Sequence, residues 1–211
     1  MIDEILKEKI IERDFYLEKL KKYIWSPVIK VIIWQRRVGK SYILKNIIQF
    51  LVNNKSFKKE DIFYINKDLP RFDNIKTYQD LKSSFENFSK NKTSNKIFVG
   101  IDEIQEIKSW EKFINGILAE YGDKIEIFIT WSNSFLLSSE LTTYISWRYI
   151  EFFISPLTFD EFCQFKEVFK NKQNFIEHLK YWWLPGIFKM EYSDETIFNY
   201  LKSIYNTIVL K

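Results

Sequence analysis

The chain has 211 residues, 46% of them hydrophobic and 28% charged, which suits one sizeable globular domain with its own core, or one domain plus a small extension. Its net charge of +4 is too weak alone to argue for nucleic acid, its single cysteine (Cys163) excludes a disulfide framework within the chain, and its single histidine (His178) leaves a zinc site short of ligands. The start, residues 1–7, lacks the apolar run of a secretory signal, and no stretch reaches the roughly 18 apolar residues of a membrane helix, so a cytoplasmic protein without a membrane partner is expected.

In chain order, Ile5, Leu6, Ile10, Phe15, Leu17, Leu20 and Ile24 fall at helical spacing among charges and predict one helix over residues 3–24, ended by Pro27. Residues 28–33 form a β-branched run that reads as a buried strand. A helix is predicted over 40–51, a strand over 61–66, a helix over 78–88, and a strand over 96–103 that ends in two acids. A helix over 110–121 is followed by the turn at Gly122 and Asp123, then a strand over 125–130. A helix over 135–145 and a strand over 148–155 complete the alternation, and the pattern beyond Pro156 is helical, over 159–169, 175–181 and 196–210. Strands alternating with helices predict an α/β fold whose mostly parallel, five-stranded sheet lies between helices (residues 1–155), with a small helical C-terminal extension (156–211).

Between the first strand and its helix stands Ile33-Trp34-Gln35-Arg36-Arg37-Val38-Gly39-Lys40-Ser41. From Gln35 onward this is a phosphate-binding loop of the pattern G-x-x-x-x-G-K-[ST], with tryptophan where the first glycine belongs. Backbone N–H groups of such a loop point at phosphates, with a helix N-terminus behind them. Lys40 is placed to reach the β and γ phosphates of ATP, and the Ser41 hydroxyl to ligate Mg²⁺. The binding stretch is taken as Trp34, Gln35, Arg36, Arg37, Val38, Gly39, Lys40, Ser41 and Tyr42.

The third strand ends at Asp102-Glu103, the end where ligands bind in open α/β sheets. Asp102 is the second candidate metal ligand, and Glu103 is placed to polarise an attacking water. Asn133, in Thr130-Trp131-Ser132-Asn133, is a candidate for touching the γ-phosphate, with a helix N-cap as the plain alternative. Arg148 enters the fifth strand from a turn and is a candidate arginine finger, in cis or toward a neighbouring subunit, or else a structural partner of Glu151 or Glu140. Cys163 reads as a small apolar residue on a helix face, and His178 as a surface or capping residue.

The ordered set Gln35–Ser41, Ile101-Asp102-Glu103-Ile104-Gln105, Ser132-Asn133-Ser134, Arg148–Phe152, Pro156–Phe162 and Leu184-Pro185-Gly186 resembles the prokaryotic AAA-type ATPases that carry an R-R-x-G-K-[ST] loop and an I-D-E-I-Q acid motif. The resemblance covers about residues 13–211. It implies a P-loop core that hydrolyses ATP with Mg²⁺, through Lys40, Ser41, Asp102 and Glu103, for a remodelling or DNA-related task. Self-association is an expected partnership, and a nucleic-acid partner would need the further C-terminal domain that such proteins carry beyond the stretch corresponding to Lys211. The other reading is a degenerate, non-hydrolysing P-loop protein that acts as an interaction module.

Departures from the family pattern share one form. Glycine is expected at 34, 131, 147, 182 and 183, and all five are tryptophan. The chain has only 5 Gly against 7 Trp, where glycine ordinarily makes up about 7% of residues. Trp25, before Pro27, is a sixth case, whereas Trp110 opens a helix and fits the pattern. Either a codon that the source reads as glycine has been written as tryptophan, or this branch has lost its nucleotide site. With tryptophan in place, a ring in or beside the phosphate cradle is expected to weaken ATP binding.

Overall fold

The computed structural model describes residues 1–90, 96–132, 145, 148–181, 183–190 and 193–209. Its centre is a five-stranded sheet ordered β2-β3-β4-β1-β5, with β1 Ile29–Ile33, β2 Ile62–Asn66, β3 Ile97–Asp102, β4 Ile125–Trp131 and β5 Tyr149–Phe153. Every pairing is parallel. The sequence explains this: β1 to β4 are buried at every position, as strands covered on both faces must be, and isoleucine, valine and phenylalanine fill them. All five C-terminal ends therefore lie along one edge, with Ile33 beside Trp131 and Phe153.

The helices are α1 Ile2–Lys7, α2 Asp14–Lys21, α3 Lys40–Asn53, α4 Tyr78–Ser89, α5 Trp110–Tyr121, α6 Phe159–Lys166, α7 Lys172–Lys180 and α8 Asp194–Val209. They divide the core into two apolar clusters, one on each face of the sheet. Leu81, Phe85, Phe113 and Ile114 of α4 and α5 cover one face. Ile43, Leu44, Ile47 and Leu51 of α3 cover the other, in a cluster that runs on without a break into Phe162, Trp183, Leu184, Ile187 and Ile197 of the C-terminal helices. The expected extension thus shares a core with the sheet.

The single helix expected over residues 3–24 is two helices with an extended link over 8–13. Its apolar spacing was helical, but tertiary hydrogen bonds win. Gln49 on α3 donates to the carbonyls of Ile5 and Glu8, at 2.7 and 2.9 Å. Arg13, 3% exposed, is fixed by its own bonds elsewhere in the fold. The expected helix over 135–145 falls outside the described residues apart from Ile145, which is buried. His178 was expected at the surface or on a cap. Its ring instead packs against Phe159 and Phe162, and its Nε2 meets the Leu157 carbonyl at 3.0 Å.

Candidate functional site

The loop after β1 turns because Gly39 adopts φ 99°, a left-handed conformation that a side chain would strain, and it serves as N-cap of α3. Val38 is fully buried beneath the loop, anchoring it to the core. Arg36 reaches Glu106 at 3.4 Å on the surface, and the Arg37 guanidinium lies 5.0 Å over the Tyr200 ring of α8. Tyr42 accepts a hydrogen bond from Lys189 at 3.0 Å. Loop and C-terminal helices thus face each other across an open pocket of about 690 Å³. Its walls carry Gly39, Lys40 and Ser41 of the loop together with the apolar Ile10, Ile11, Pro185 and Phe188.

Lys40 is 3% exposed, and burial pulls its pKa down against the opposing pull of Glu103 and Asp102. Its ammonium donates to the Trp34 and Gln35 carbonyls at 3.0 and 2.9 Å and lies 3.9 Å from Glu103. Asp102 is wholly buried. Burial pushes its pKa up to about 6, although the Thr130 hydrogen bond and the nearby Ser41 hydroxyl favour the anion. Thr130 Oγ1 donates to Asp102 Oδ1 at 2.5 Å and accepts from the Glu103 N–H at 2.8 Å, so one hydroxyl on β4 sets both acids. Asp102 Oδ2 is buried with no hydrogen-bond partner among the described residues. A shielded anionic oxygen beside the Ser41 hydroxyl suits a hard divalent cation, and these two residues fit Mg²⁺.

Glu103 sits at φ 58°, just past the strand end, which turns its carboxylate toward the loop. Gln105 Nε2 donates to its Oε2 at 2.5 Å, and the Ser132 hydroxyl donates to its Oε1. Asp68, beyond β2, joins the pocket wall, and burial followed by the charge of Glu103 raises its pKa. Thus Lys40, Ser41, Asp102 and Glu103 converge, as their motifs require. Thr130, Ser132 and Asp68 complete the group. The sequence singled out neither Asp68 nor the bridging of Thr130, because both depend on strand order rather than on spacing.

The candidates outside this cluster fare differently. Asn133 lies outside the described residues. Arg148 immediately precedes β5 and lines a smaller cleft of about 220 Å³ with Trp25, Pro27 and Asp123, at the N-terminal ends of the strands. The five residues of β5 separate it from the loop edge by about 16 Å, at ~3.3 Å per residue. An arginine finger in cis is excluded by that placement. Trp34 holds φ 145° and turns its ring toward Phe153, 6.0 Å between centroids, so the ring lies beside the cradle and does not line the pocket.

Sequence reading missed Arg13. Its guanidinium donates to both carboxylate oxygens of Glu161, at 2.7 and 2.8 Å, and to the carbonyls of Val38 and Ser155, each at 3.0 Å. Burial works against the Glu161 carboxylate, but Arg13 and the Thr158 backbone hold its pKa below the usual range. Glu161 also closes a capping box with Thr158 at the start of α6. One arginine therefore ties the N-terminal segment, the phosphate loop and the C-terminal helices together. Nothing in local spacing marks such a residue.

Residues 26–163 match the AAA domain family. The chain belongs to that family. It is 33% identical over 210 residues to an uncharacterized protein of Haemophilus influenzae, covering 97% of this chain and 51% of that one. An uncharacterized protein of Methanocaldococcus jannaschii is 38% identical over 160 residues, covering 76% and 32%. The chain therefore spans about half the length of the first relative and a third of the second. In fold it is similar to the Saccharomyces cerevisiae Hsp104:casein complex, with TM-score 0.57 at 13% identity over 99% of this chain and 40% of that one. It is also similar to the Aeropyrum pernix ORC1 protein in complex with DNA, with TM-score 0.54 at 12% identity over 82% and 51%. The fold is that of an AAA-type P-loop ATPase, as the resemblance implied. Among the described residues, no helix is long and apolar enough to cross a membrane.

Proposed function

We propose that this AAA domain binds MgATP at the loop of residues 34–42 and hydrolyses it. The observation that carries the reading is the convergence of Lys40, Ser41 and Glu103 on the pocket wall with Asp102 buried behind them, its Oδ2 without a partner among the described residues. Phosphates would lie over the backbone amides ahead of α3, drawing Lys40 off the Trp34 and Gln35 carbonyls. The base would pack on apolar lining such as Ile10, Ile11 and Phe188, in a pocket large enough for a nucleotide. Ser41 and Asp102 would hold Mg²⁺, which supplies charge neutralisation on the transferred phosphoryl group.

Glu103 orients a water whose oxygen attacks the γ-phosphorus. The bond to the ADP oxygen breaks, and the water proton passes to the Glu103 carboxylate. Ser132 and Gln105 hold that carboxylate at its two oxygens. Glu103→Gln is expected to keep ATP binding within about threefold and to lower turnover at least ~100-fold, the scale of positioned acid–base groups. Equilibrium binding beside a phosphate-release assay checks this, and equal turnover in both proteins would remove Glu103 from the mechanism. Arg148 enters this reading only across a subunit interface, with a second copy supplying the site it serves.

The tryptophan at position 34 favours a second reading, in which the chain as written is a relic that holds no nucleotide and serves as an interaction module. That reading predicts no MgATP binding by either protein in the same assay.

A further inference from the structure

We propose that residues 25, 34 and 131 are glycine in the protein as its own ribosomes make it. Tryptophan is written there because a codon that the source reads as glycine has been translated as tryptophan. UGA is such a codon, read as glycine by some bacteria and as tryptophan by others.

The backbone supplies the first argument. Trp34 sits at φ 145°, far outside the left-handed region near +50 to +70° that L-residues tolerate. Arg37, Glu103 and Ser109, the other positive-φ residues flanking the site, lie between 58° and 70°, inside that region. Trp25, at φ 66°, is a bulky aromatic in a conformation that asparagine, aspartate and glycine normally fill. Among the described residues, every other non-glycine residue with positive φ lies at 70° or below, and only Gly39, at 99°, exceeds that besides Trp34.

The side chains supply the second argument. Among the described residues, the buried indole N–H groups of Trp34 and Trp131 have no hydrogen-bond partner, although indole N–H groups are normally paired when buried. Two orphaned donors at the ends of adjacent strands, one residue after Ile33 and one after Thr130, mark places where the surroundings were not built for indole. The conflict is specific to position. Trp110 opens α5 with an ordinary backbone and a buried ring, and the N–H of Trp183 donates to the Glu177 carbonyl at 3.3 Å while its ring fills the core beside Phe162. Neither shows the defect, so position 183, where the family pattern also expects glycine, accommodates its tryptophan and stands outside the proposal.

With glycine at 34 and 131, the loop meets its phosphate pattern in full, and the end of β4 beside Thr130 and Ser132 is opened. The proposal deepens the nucleotide-site reading but does not depend on ATP being bound. The test is the mass of the Val31–Arg36 tryptic peptide from protein purified out of its native source, together with the gene's codons. A peptide with glycine at 34, UGA codons at 25, 34 and 131, and UGG at 110 are expected. Tryptophan in that peptide, or UGG at 34, overturns the proposal, and UGG at 25 or 131 overturns it for that position. The two readings fail separately. Glycine at 34 in a protein that ignores ATP refutes only the function, and tryptophan at 34 in an active ATPase refutes only the decoding.

Discussion

At Asp102, a single buried carboxyl links the fold to its chemistry. Burial raises its pKa from 3.8 to about 6, so the folded chain binds this proton more tightly than the unfolded chain does. The contribution to stability is therefore fully present below about pH 3.8 and is lost as pH rises through about 6. Denaturant midpoints of the metal-free chain and of Asp102→Asn, compared between pH 4 and 7, should diverge over that window, by up to about 3 kcal/mol for a two-unit shift. Parallel curves would mean that the carboxyl is better solvated than its burial indicates. Asp102 itself was legible in the sequence, as was Lys40, because a strand ending in acids and a G-K-S turn each carry their chemistry locally. Thr130, which bridges Asp102 and Glu103 from 28 and 27 residues away, was not legible as a bridge. Its role exists only once β4 lies beside β3.

Among the elements, two buried ion pairs hold neighbours in place. Lys30 on β1 and Glu126 on β4 are each 1% exposed and hydrogen-bonded to one another, and the Trp25 N–H donates to the same carboxylate at 2.5 Å. Burial lowers the Lys30 pKa and raises that of Glu126, each against the pull of its partner. Lys30→Met alone should cost about 3–5 kcal/mol in urea unfolding, because it strands a buried carboxylate. Lys30→Met with Glu126→Leu should recover most of that loss, and a double variant as weak as the single one would contradict the account.

Arg13 and Glu161 act between more distant parts, joining the segment before α2 to the loop and to α6. Arg13→Gln should destabilise the chain by a similar ~3–5 kcal/mol and raise the KM for ATP more than it lowers kcat, since it frees the Val38 carbonyl without touching the acids. A variant with only kcat reduced would place Arg13 nearer the chemistry than these bonds do. The break between α1 and α2 was invisible in sequence for the same reason. Apolar spacing reports a helix face, and nothing local announces that Arg13 is held by a carboxylate 148 residues further along.

For the whole molecule, strand order is what makes a site. Placing β4 between β3 and β1 brings the acids and the loop to one edge, and the parallel direction of β5 puts Arg148 at the opposite edge, where the sequence had left a finger in cis, a finger in trans or a structural pairing open. The alternation of strands and helices was readable because the strands are continuous apolar runs. The pocket between loop and C-terminal helices was not, because it is a space between elements. Binding of a nucleotide there must stabilise the folded molecule by mass action, about 2.7 kcal/mol at a hundredfold excess over Kd.

The most direct measurement is a calorimetric titration of MgATP into the chain with its native residue at position 34, beside Lys40→Ala and a magnesium-free control. Saturable, one-to-one binding is expected, lost in Lys40→Ala and weakened at least tenfold without magnesium. Binding of equal strength in all three would place the nucleotide elsewhere and contradict the assignment of the loop.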